Sequence, residues 1–357
     1  VMKGEYKGQR IPSQTLRKLC MDVFLKLGFS DDDASIVADD LIETDLRGVY
    51  SHGVMRFPIL VERIEKNANK IGTQIKIVKN NKGTALIDGG NGMGQVVSHH
   101  AMKLAIDKAK ELGISGEGVF KSNHNGTEAN WAMMALKHDM IGFCATTGGV
   151  NIMAPWGGYD RMLGNNPFAF AVPTGDTWDF PVVFDMACSI VARGWIVLAM
   201  KQGEELPAGW ALDIEGNPTT NAKAGYEGSV LPIGDYKGYG LSLMVGIFCS
   251  LLTGAAIGEE VTDFYHDFQK GQNVGHFMGA IDIGSFVPIT DFKTRIDNLI
   301  NFLKSSNLRR NVEKIYIPGE KEFEAYRDNS ANGIPVPSGV LKELEALAKK
   351  YEVEWII

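Results

Sequence analysis

Cysteine is scarce in this chain of 357 residues, with only Cys20, Cys144, Cys188 and Cys249, and none shares a CxxC spacing. That scatter excludes a zinc ribbon or a dithiol redox site and fits reduced thiols in a cytoplasmic protein. Positive charge is also short: 36 Lys and Arg stand against 43 Asp and Glu, a net charge of −7. A general nucleic-acid binder is excluded on that balance, because phosphate binding needs concentrated basic residues, although one local anion pocket is not. Long hydrophobic runs are missing as well. The nearest approach is residues 241–258, uncharged but diluted by glycine, serine and threonine and followed at once by Glu259 and Glu260. A spanning helix needs about 20 predominantly apolar residues, so a buried helix flanked by a functional loop is expected there, with no membrane partner. The start, Val1 to Gly8, lacks the apolar core of a signal peptide. Neither HExxH nor any other metal-ligand spacing occurs, and no metal is expected.

What is present is the make-up of a globular protein, 45% hydrophobic and 22% charged, long enough for two domains. Ser30-Asp-Asp-Asp starts a helix, with acids placed favourably against the dipole, and Gly48 ends it. A second helix is expected from about Ser51 to Lys66, bent by Pro58. Strands are expected at 75–78 and 84–87 around a polar turn, then near 116–120, 142–146, 168–172 and 182–184. Helices fit 96–112, 127–137, 189–200 and 338–350. The irregular alternation, with long Gly/Pro-rich loops, indicates an α+β sheet domain instead of a regular βαβ array. The glycine cluster at 88–94 does not alter that. With glycine at 90 and 92, a dinucleotide fingerprint requires a third at 95, where the chain has Gln95. The doubly wound fold is rejected on this ground.

The window Arg47-Gly-Val-Tyr-Ser51-His52-Gly-Val-Met-Arg56 concentrates chemistry. If Ser51 caps a helix, His52 falls in its first turn and Arg56 follows on the same face. An arginine can grip a carboxylate through paired hydrogen bonds while a histidine exchanges a proton with a neighbouring oxygen. A 2-hydroxy or 2-oxo acid carries both groups on adjacent carbons. A plain solvated helix face is the competing explanation.

Several segments recur in the same order as in a known family. They are Ser51-His-Gly, Ser122-Asn-His-Asn-Gly126, Ala154-Pro-Trp-Gly-Gly158, Leu163-Gly-Asn-Asn-Pro167 and Phe184-Asp-Met-Ala187. Ala192-Arg-Gly194, Gly209-Trp-Ala-Leu-Asp213, Tyr236-Lys-Gly-Tyr-Gly240 and Gly275-His-Phe277 continue the series. Over essentially its whole length the chain resembles the malate/L-lactate dehydrogenase family typified by sulfolactate, ureidoglycolate and diketogulonate dehydrogenases, distinct from the Rossmann-type enzymes. The resemblance implies an NAD(P)-dependent oxidoreductase, usually a homodimer. It implies a non-Rossmann, mixed or antiparallel NAD(P)-binding sheet domain (75–310) and a helical second lobe built from 1–74 and 311–357. Hydride would pass between the nicotinamide and C2 of a small 2-hydroxy or 2-oxo acid, malate/oxaloacetate being the first expectation. The cofactor is NAD or NADP, with NAD placed first.

Carried over residue by residue, the resemblance makes His52 the acid/base with Ser51 in relay, and His124 the second candidate for the proton. Arg56 becomes the carboxylate clamp, with Arg47 as a second candidate that an ion pair to Glu43 would also explain. Asn165 replaces a usual threonine near the substrate, and Asn125 replaces a usual phenylalanine on the pocket wall. Cofactor-lining positions match His124, Asn125, Gly126, Asp185, Met186, Ala187, Arg193, Gly194, Lys237, Gly238, Pro318, Gly319 and Glu320. Trp195 stands where imine-reducing members carry an acid, which disfavours a cyclic imine. Ureidoglycolate, sulfolactate and imine substrates are the alternatives within the family. A metal-dependent hydrolase and a non-catalytic nucleotide-binding protein are the alternatives outside it. His276, within a matching block, is expected to be structural, and His99, His100, His138 and His266 carry weaker claims.

Overall fold

The structure is a computed structural model that describes residues 8–72 and 74–355, with only the backbone at 201 and 202. Residues 1–7, which hold most of the segment searched for a signal sequence, lie outside the described residues. The chain opens with β1 (Gln9–Ile11), α1 (Ser13–Lys26) and α2 (Asp31–Leu46). Ser30 caps α2, its hydroxyl accepting from the Asp33 N–H at 3.2 Å, and Asp31 to Asp33 occupy the positive end of the helix. Gly48, at φ +77°, turns the chain away. The expected helix from 51 does not form. Residues 50–53 are turns, Val54–Arg56 is one 3-10 turn, and α3 (Phe57–Glu65) starts six residues later than expected. Pro58 therefore starts a helix instead of bending one, because a residue without an N–H is tolerated in the first turn alone.

The central sheet uses β2 (Lys76–Asn80), β3 (Thr84–Asp88), β4 (Gly116–Ser122), β5 (Met140–Thr146), β6 (Phe168–Val172), β7 (Val182–Met186) and, far along the chain, β11 (Val274–Asp282). Its order is β2-β3-β4-β11-β5-β6-β7, antiparallel throughout except for the parallel pair β3–β4. A doubly wound sheet is parallel, so the rejection made on Gln95 holds. Helices α4 (Gly94–Leu112) and α5 (Glu128–Met133) cover one face, where Val97, Ala101, Met102 and Ala105 meet Ile87, Val119 and Met278. Between β7 and β11 lie α6 (Arg193–Gln202), the small sheet of β8 (Ala211–Leu212), β9 (Pro218–Thr219) and β10 (Ser229–Val230), α7 (Ala222–Glu227) and α8 (Tyr236–Gly246).

The uncharged segment 241–258 is a correction. It forms the end of α8 and a π-helical turn over Ile247–Leu251, and it is not a buried helix. Its small residues face the sheet, where backbone approaches so closely that a Cβ on Gly275 would lie 1.7 Å from the Cys249 carbonyl oxygen. Ser242 and Cys249 are buried, while Leu241, Leu243, Met244, Phe248, Leu251 and Leu252 are exposed. Among the described residues no helix is long and apolar enough to cross a membrane.

After α9 (Ile289–Lys304) and α10 (Glu320–Asn332), the chain returns to its beginning. Strand β12 (Ile334–Val336) pairs antiparallel with β1, and α11 (Ser338–Tyr351) inserts Leu341, Leu344 and Leu347 among Leu16, Phe24, Leu41, Phe57 and Leu60. Each such side chain contributes about 1.5–3 kcal/mol on burial. Asn329 of α10, 1% exposed, donates to the Asp45 and Leu46 carbonyls, both at 3.1 Å, and so satisfies the end of α2. Asn329→Ala would strand those carbonyls, and a loss of about 2–4 kcal/mol is expected in urea denaturation. An unchanged midpoint would deny Asn329 this role.

Candidate active site

His52 is presented by the turn that precedes α3. Asp45, 2% exposed, accepts the Val54 N–H at 2.8 Å, and Gly53 is tucked so tightly that a Cβ there would lie 1.9 Å from the Asp45 carboxylate. The turn is thus pinned from beneath. Ser51 does not cap a helix; its hydroxyl lies 2.9 Å from His52 Nδ1. Arg56 does not share a helical face with His52 either. Its Nε donates to the Ser51 carbonyl at 2.7 Å and its Nη1 donates to the Tyr265 hydroxyl, which folds the guanidinium back over the turn.

His124 arrives from the other side, on the loop between β4 and α5. The glycine cluster at 88–94 exists to seat this loop. A Cβ on Gly94 would come 2.1 Å from the Asn123 carbonyl oxygen and 2.4 Å from that of His124, and Asn123 Nδ2 donates to the Asn91 and Gly92 carbonyls. The His124 N–H donates to Gln272 Oε1 at 3.0 Å. Helix α5 has only six residues, too few to lend this loop a helix dipole.

The two imidazoles face each other with ring centres 5.6 Å apart and planes within 15°. On its other side His124 packs on Phe264, with centres 4.9 Å apart. Both histidines are half-buried by area but crowded by protein on most sides. Burial pushes the His52 imidazole down to about 3, with the Arg56 charge as the second cause. His124 lies well below its ordinary range through burial first, then the charges of His52 and Arg56. Both rings are therefore neutral at neutral pH, and a proton on one opposes a proton on the other.

The remaining expected residues distribute unevenly. Arg47 is buried, 6% exposed, with Glu43, Glu322 and Asp185 as its charge neighbours, and so is drawn towards β7 instead of Arg56. Asp185 accepts the Ala129 N–H at 2.9 Å; it is open to solvent on one side and enclosed on the rest, and burial raises its carboxyl to about 6. Asn125 is a correction: its side chain is 1% exposed and donates to Ser98 and Glu128, so it forms no pocket wall. Gly126, at φ +90°, lies against Asp40. Asn165 sits against Gly148, while its neighbour Asn166 ties the Gly148 N–H to the Ser242 carbonyl.

Met186 and Ala187 end and follow β7, and Arg193 opens α6 with its guanidinium 4.3 Å from the centre of the Tyr226 ring. Around Gly194 nothing lies within 4 Å of where a Cβ would be, which leaves the start of α6 open to a ligand. Lys237 is exposed at the start of α8, and Gly238 packs on the Ile233 and Cys188 carbonyls. Pro318 accepts the Val183 N–H of β7 and Gly319 lies against Val183. The Glu320 carboxylate is committed to Lys304 and Lys314, both at 2.7 Å. His276 is structural in its contacts, both ring nitrogens meeting hydroxyls, of Thr146 at 2.7 Å and Ser122 at 2.8 Å. Phe264, Tyr265 and Gln272 escaped the reading from sequence. Their one signal was a pair of aromatics in a polar, acidic loop some 200 residues from Arg56 in the chain.

Comparison with known proteins gives the family. The family model described as malate/L-lactate dehydrogenase matches residues 11–345. The malate dehydrogenase of Pyrococcus horikoshii is 40% identical over 353 residues, 97% of this chain and 96% of that one. The solved sulfolactate dehydrogenase of Methanocaldococcus jannaschii superimposes with a TM-score of 0.91 at 33% identity, covering 97% of this chain and 98% of its own. A (2R)-3-sulfolactate dehydrogenase of Chromohalobacter salexigens, named for NADP(+), is 32% identical over 88% of this chain and 91% of its own length. Such relatives are hydroxyacid dehydrogenases, and this chain is an enzyme of that class. It belongs to the malate/L-lactate dehydrogenase family.

Three buried acids underlie the site: Asp40 raised to about 7, Asp45 to about 8 and Glu128 to about 8, burial leading in each case. A carboxyl whose pKa is raised by folding contributes stability at low pH and loses it as pH climbs through the folded value. The depressed histidines act oppositely, but only below 6.5. Between pH 6.5 and 8 the acids prevail, so the melting temperature is expected to fall across that window. Asp45→Asn, which mimics the protonated acid, should flatten the fall; a wild-type midpoint rising from pH 6.5 to 8 would contradict it.

Proposed function

We propose that this enzyme is an NAD(P)-dependent 2-hydroxyacid dehydrogenase acting on malate and oxaloacetate, with His52 as the acid/base and Arg56 as the carboxylate clamp. The observation that carries the reading is that the loop after β4 brings His124 against His52, with Arg56 as a charge neighbour of both. The substrate class follows from the family and from the identity with a named malate dehydrogenase. The open backbone at Gly194 and the exposed positions Asp185 and Pro318 support a cofactor along the start of α6. When bound, a nicotinamide supplies the hydride acceptor or donor. We put NAD ahead of NADP, because Asp185 and Glu322 beside this opening would repel an added 2′-phosphate there.

The protein's own part is proton transfer and orientation. With Nδ1 given to Ser51, the Nε2 of His52 is left to face the C2 oxygen. In the tautomer that carries its proton on Nδ1, Nε2 accepts the proton of a hydroxy acid; after protonation the same atom returns it to an oxo acid. Burial is the main cause of the His52 depression; a carboxylate bound to Arg56 would cancel the second cause, so substrate binding raises the imidazole part of the way. His124 remains neutral beside it and limits the pair to one proton.

A second copy of the chain is part of the proposal. Phe170, Phe184 and the exposed apolar row from Leu241 to Leu252 form an extended uncovered face, as a homodimer interface does. The buried, unpaired cysteines are in keeping with a cytoplasmic setting.

The test follows reduced nicotinamide by absorbance with oxaloacetate and related 2-oxo acids. Turnover is expected with oxaloacetate, and His52→Ala should reduce kcat about 10²–10⁴-fold. Because burial and Arg56 hold free His52 at about 3, kcat/KM for oxo-acid reduction should fall about tenfold per pH unit throughout the neutral range, while hydroxy-acid oxidation stays level there. Absence of turnover with every 2-oxo acid would remove the proposal.

A further inference from the structure

The loop from 262 to 272 packs on His124 and Arg56, and a buried cation fixes its placement. Arg63 of α3 has no exposed surface, yet its guanidinium reaches under this loop. Its Nη1 donates to the Phe264 carbonyl at 2.9 Å and the Asp267 carbonyl at 3.1 Å, and its Nε donates to Asn69 Oδ1 at 3.0 Å. The Phe264 and Phe268 rings lie 5.3 and 5.8 Å from it. Asp263 Oδ1 accepts the N–H groups of Tyr265 and His266 at 2.7 and 3.0 Å. At the far end Gln272 Nε2 donates to the Gly149 and Thr262 carbonyls, while its Oε1 holds His124.

A loop clamped this firmly still leaves the Tyr265 side chain 38% exposed. The phenol oxygen accepts from Arg56 Nη1, and the Arg56 guanidinium carbon lies 5.3 Å from the ring centre. A phenol that receives a hydrogen bond through a lone pair retains its own O–H as a donor. Arg56 is meanwhile partly spent: Nε serves the Ser51 carbonyl and Nη1 serves Tyr265. A carboxylate arriving at Arg56 thus meets the three remaining N–H groups, with the Tyr265 O–H beside them as a further donor.

We propose that Tyr265 supplies that donor, its hydroxyl binding the same substrate carboxylate that Arg56 holds, with Arg63 as the positioning residue that keeps the loop in place. This rests on the reading above that Arg56 receives the carboxylate. Phe264, fixed by the same clamp, backs His124, so one buried guanidinium sets both the anion site and one wall of the proton site.

The experiment compares the wild type with Tyr265→Phe, which keeps the ring stacked against Arg56 but removes the hydroxyl, both as acceptor from Arg56 Nη1 and as donor to the substrate. KM for oxaloacetate should rise about tenfold with kcat within about threefold, KM for the nicotinamide cofactor unchanged and the melting temperature unmoved. Calorimetric titration with oxamate should show the same tenfold weakening. Arg63→Lys should raise KM similarly and also lower the melting temperature. An oxaloacetate KM and an oxamate affinity in Tyr265→Phe within twofold of wild type would overturn the proposal, as would a loss confined to kcat. If the wild type turns over no 2-oxo acid, the dehydrogenase reading fails separately. The oxamate titration then decides on Tyr265 alone: tenfold weaker binding upholds it and equal binding overturns it.

Discussion

Two neutral imidazoles held nearly parallel, 5.6 Å apart, with a guanidinium at their edge, set the terms for the rest of this molecule. Such a trio cannot carry all its positive charges at once, because each added proton is opposed by its neighbours and by desolvation. The arrangement is therefore unfilled in an electrostatic sense: it gains most from an anion that quiets Arg56 and frees one imidazole to titrate. Everything packed around it serves to keep the rings in register. Asp45 and Gly53 pin the turn of His52, Gly94 makes room for the loop of His124, and Gln272 ties that loop to the covering segment.

Much of this was readable from residue order alone. The sheet strands were marked by runs of β-formers between polar turns, and Ser30 with its trailing acids marked α2. Gln95 sufficed to reject the dinucleotide fingerprint, and the residues that meet in the cleft carried the chemistry by type. The failures share a cause. Local spacing suggested that Ser51, His52 and Arg56 belonged to one helix, but Pro58 fixed the helix start and left the preceding turn to be shaped by Asp45. Asn125 looked like pocket lining, yet Ser98 and Glu128 draw it inward. Tyr265 was invisible because its partnership with Arg56 spans most of the chain. Contacts made between distant segments leave no periodic trace.

The glycine-rich stretch at 88–94 shows how one composition can serve another purpose. In a nucleotide fingerprint such glycines let backbone approach a phosphate. Here they let backbone approach backbone, so that Asn123 and His124 can rest on the start of α4. The shared physics is the missing Cβ; the thing admitted differs. The uncharged run at 241–258 follows a related logic, with small residues turned to the sheet and the bulky ones left outside.

The wall that supports His52 is assembled from both extremities of the chain, β1 against β12 and the first helices against α11. During vectorial synthesis, α1, α2 and α3 emerge early but must wait for nearly the entire polypeptide before their apolar faces are covered. The intervening sheet can close around α4 and α5 in the meantime, since its own core is drawn from residues between. The turn of His52 consequently gains its support only after α11 has emerged, and a ribosome that stalls before then releases an ordered sheet with that turn unsupported.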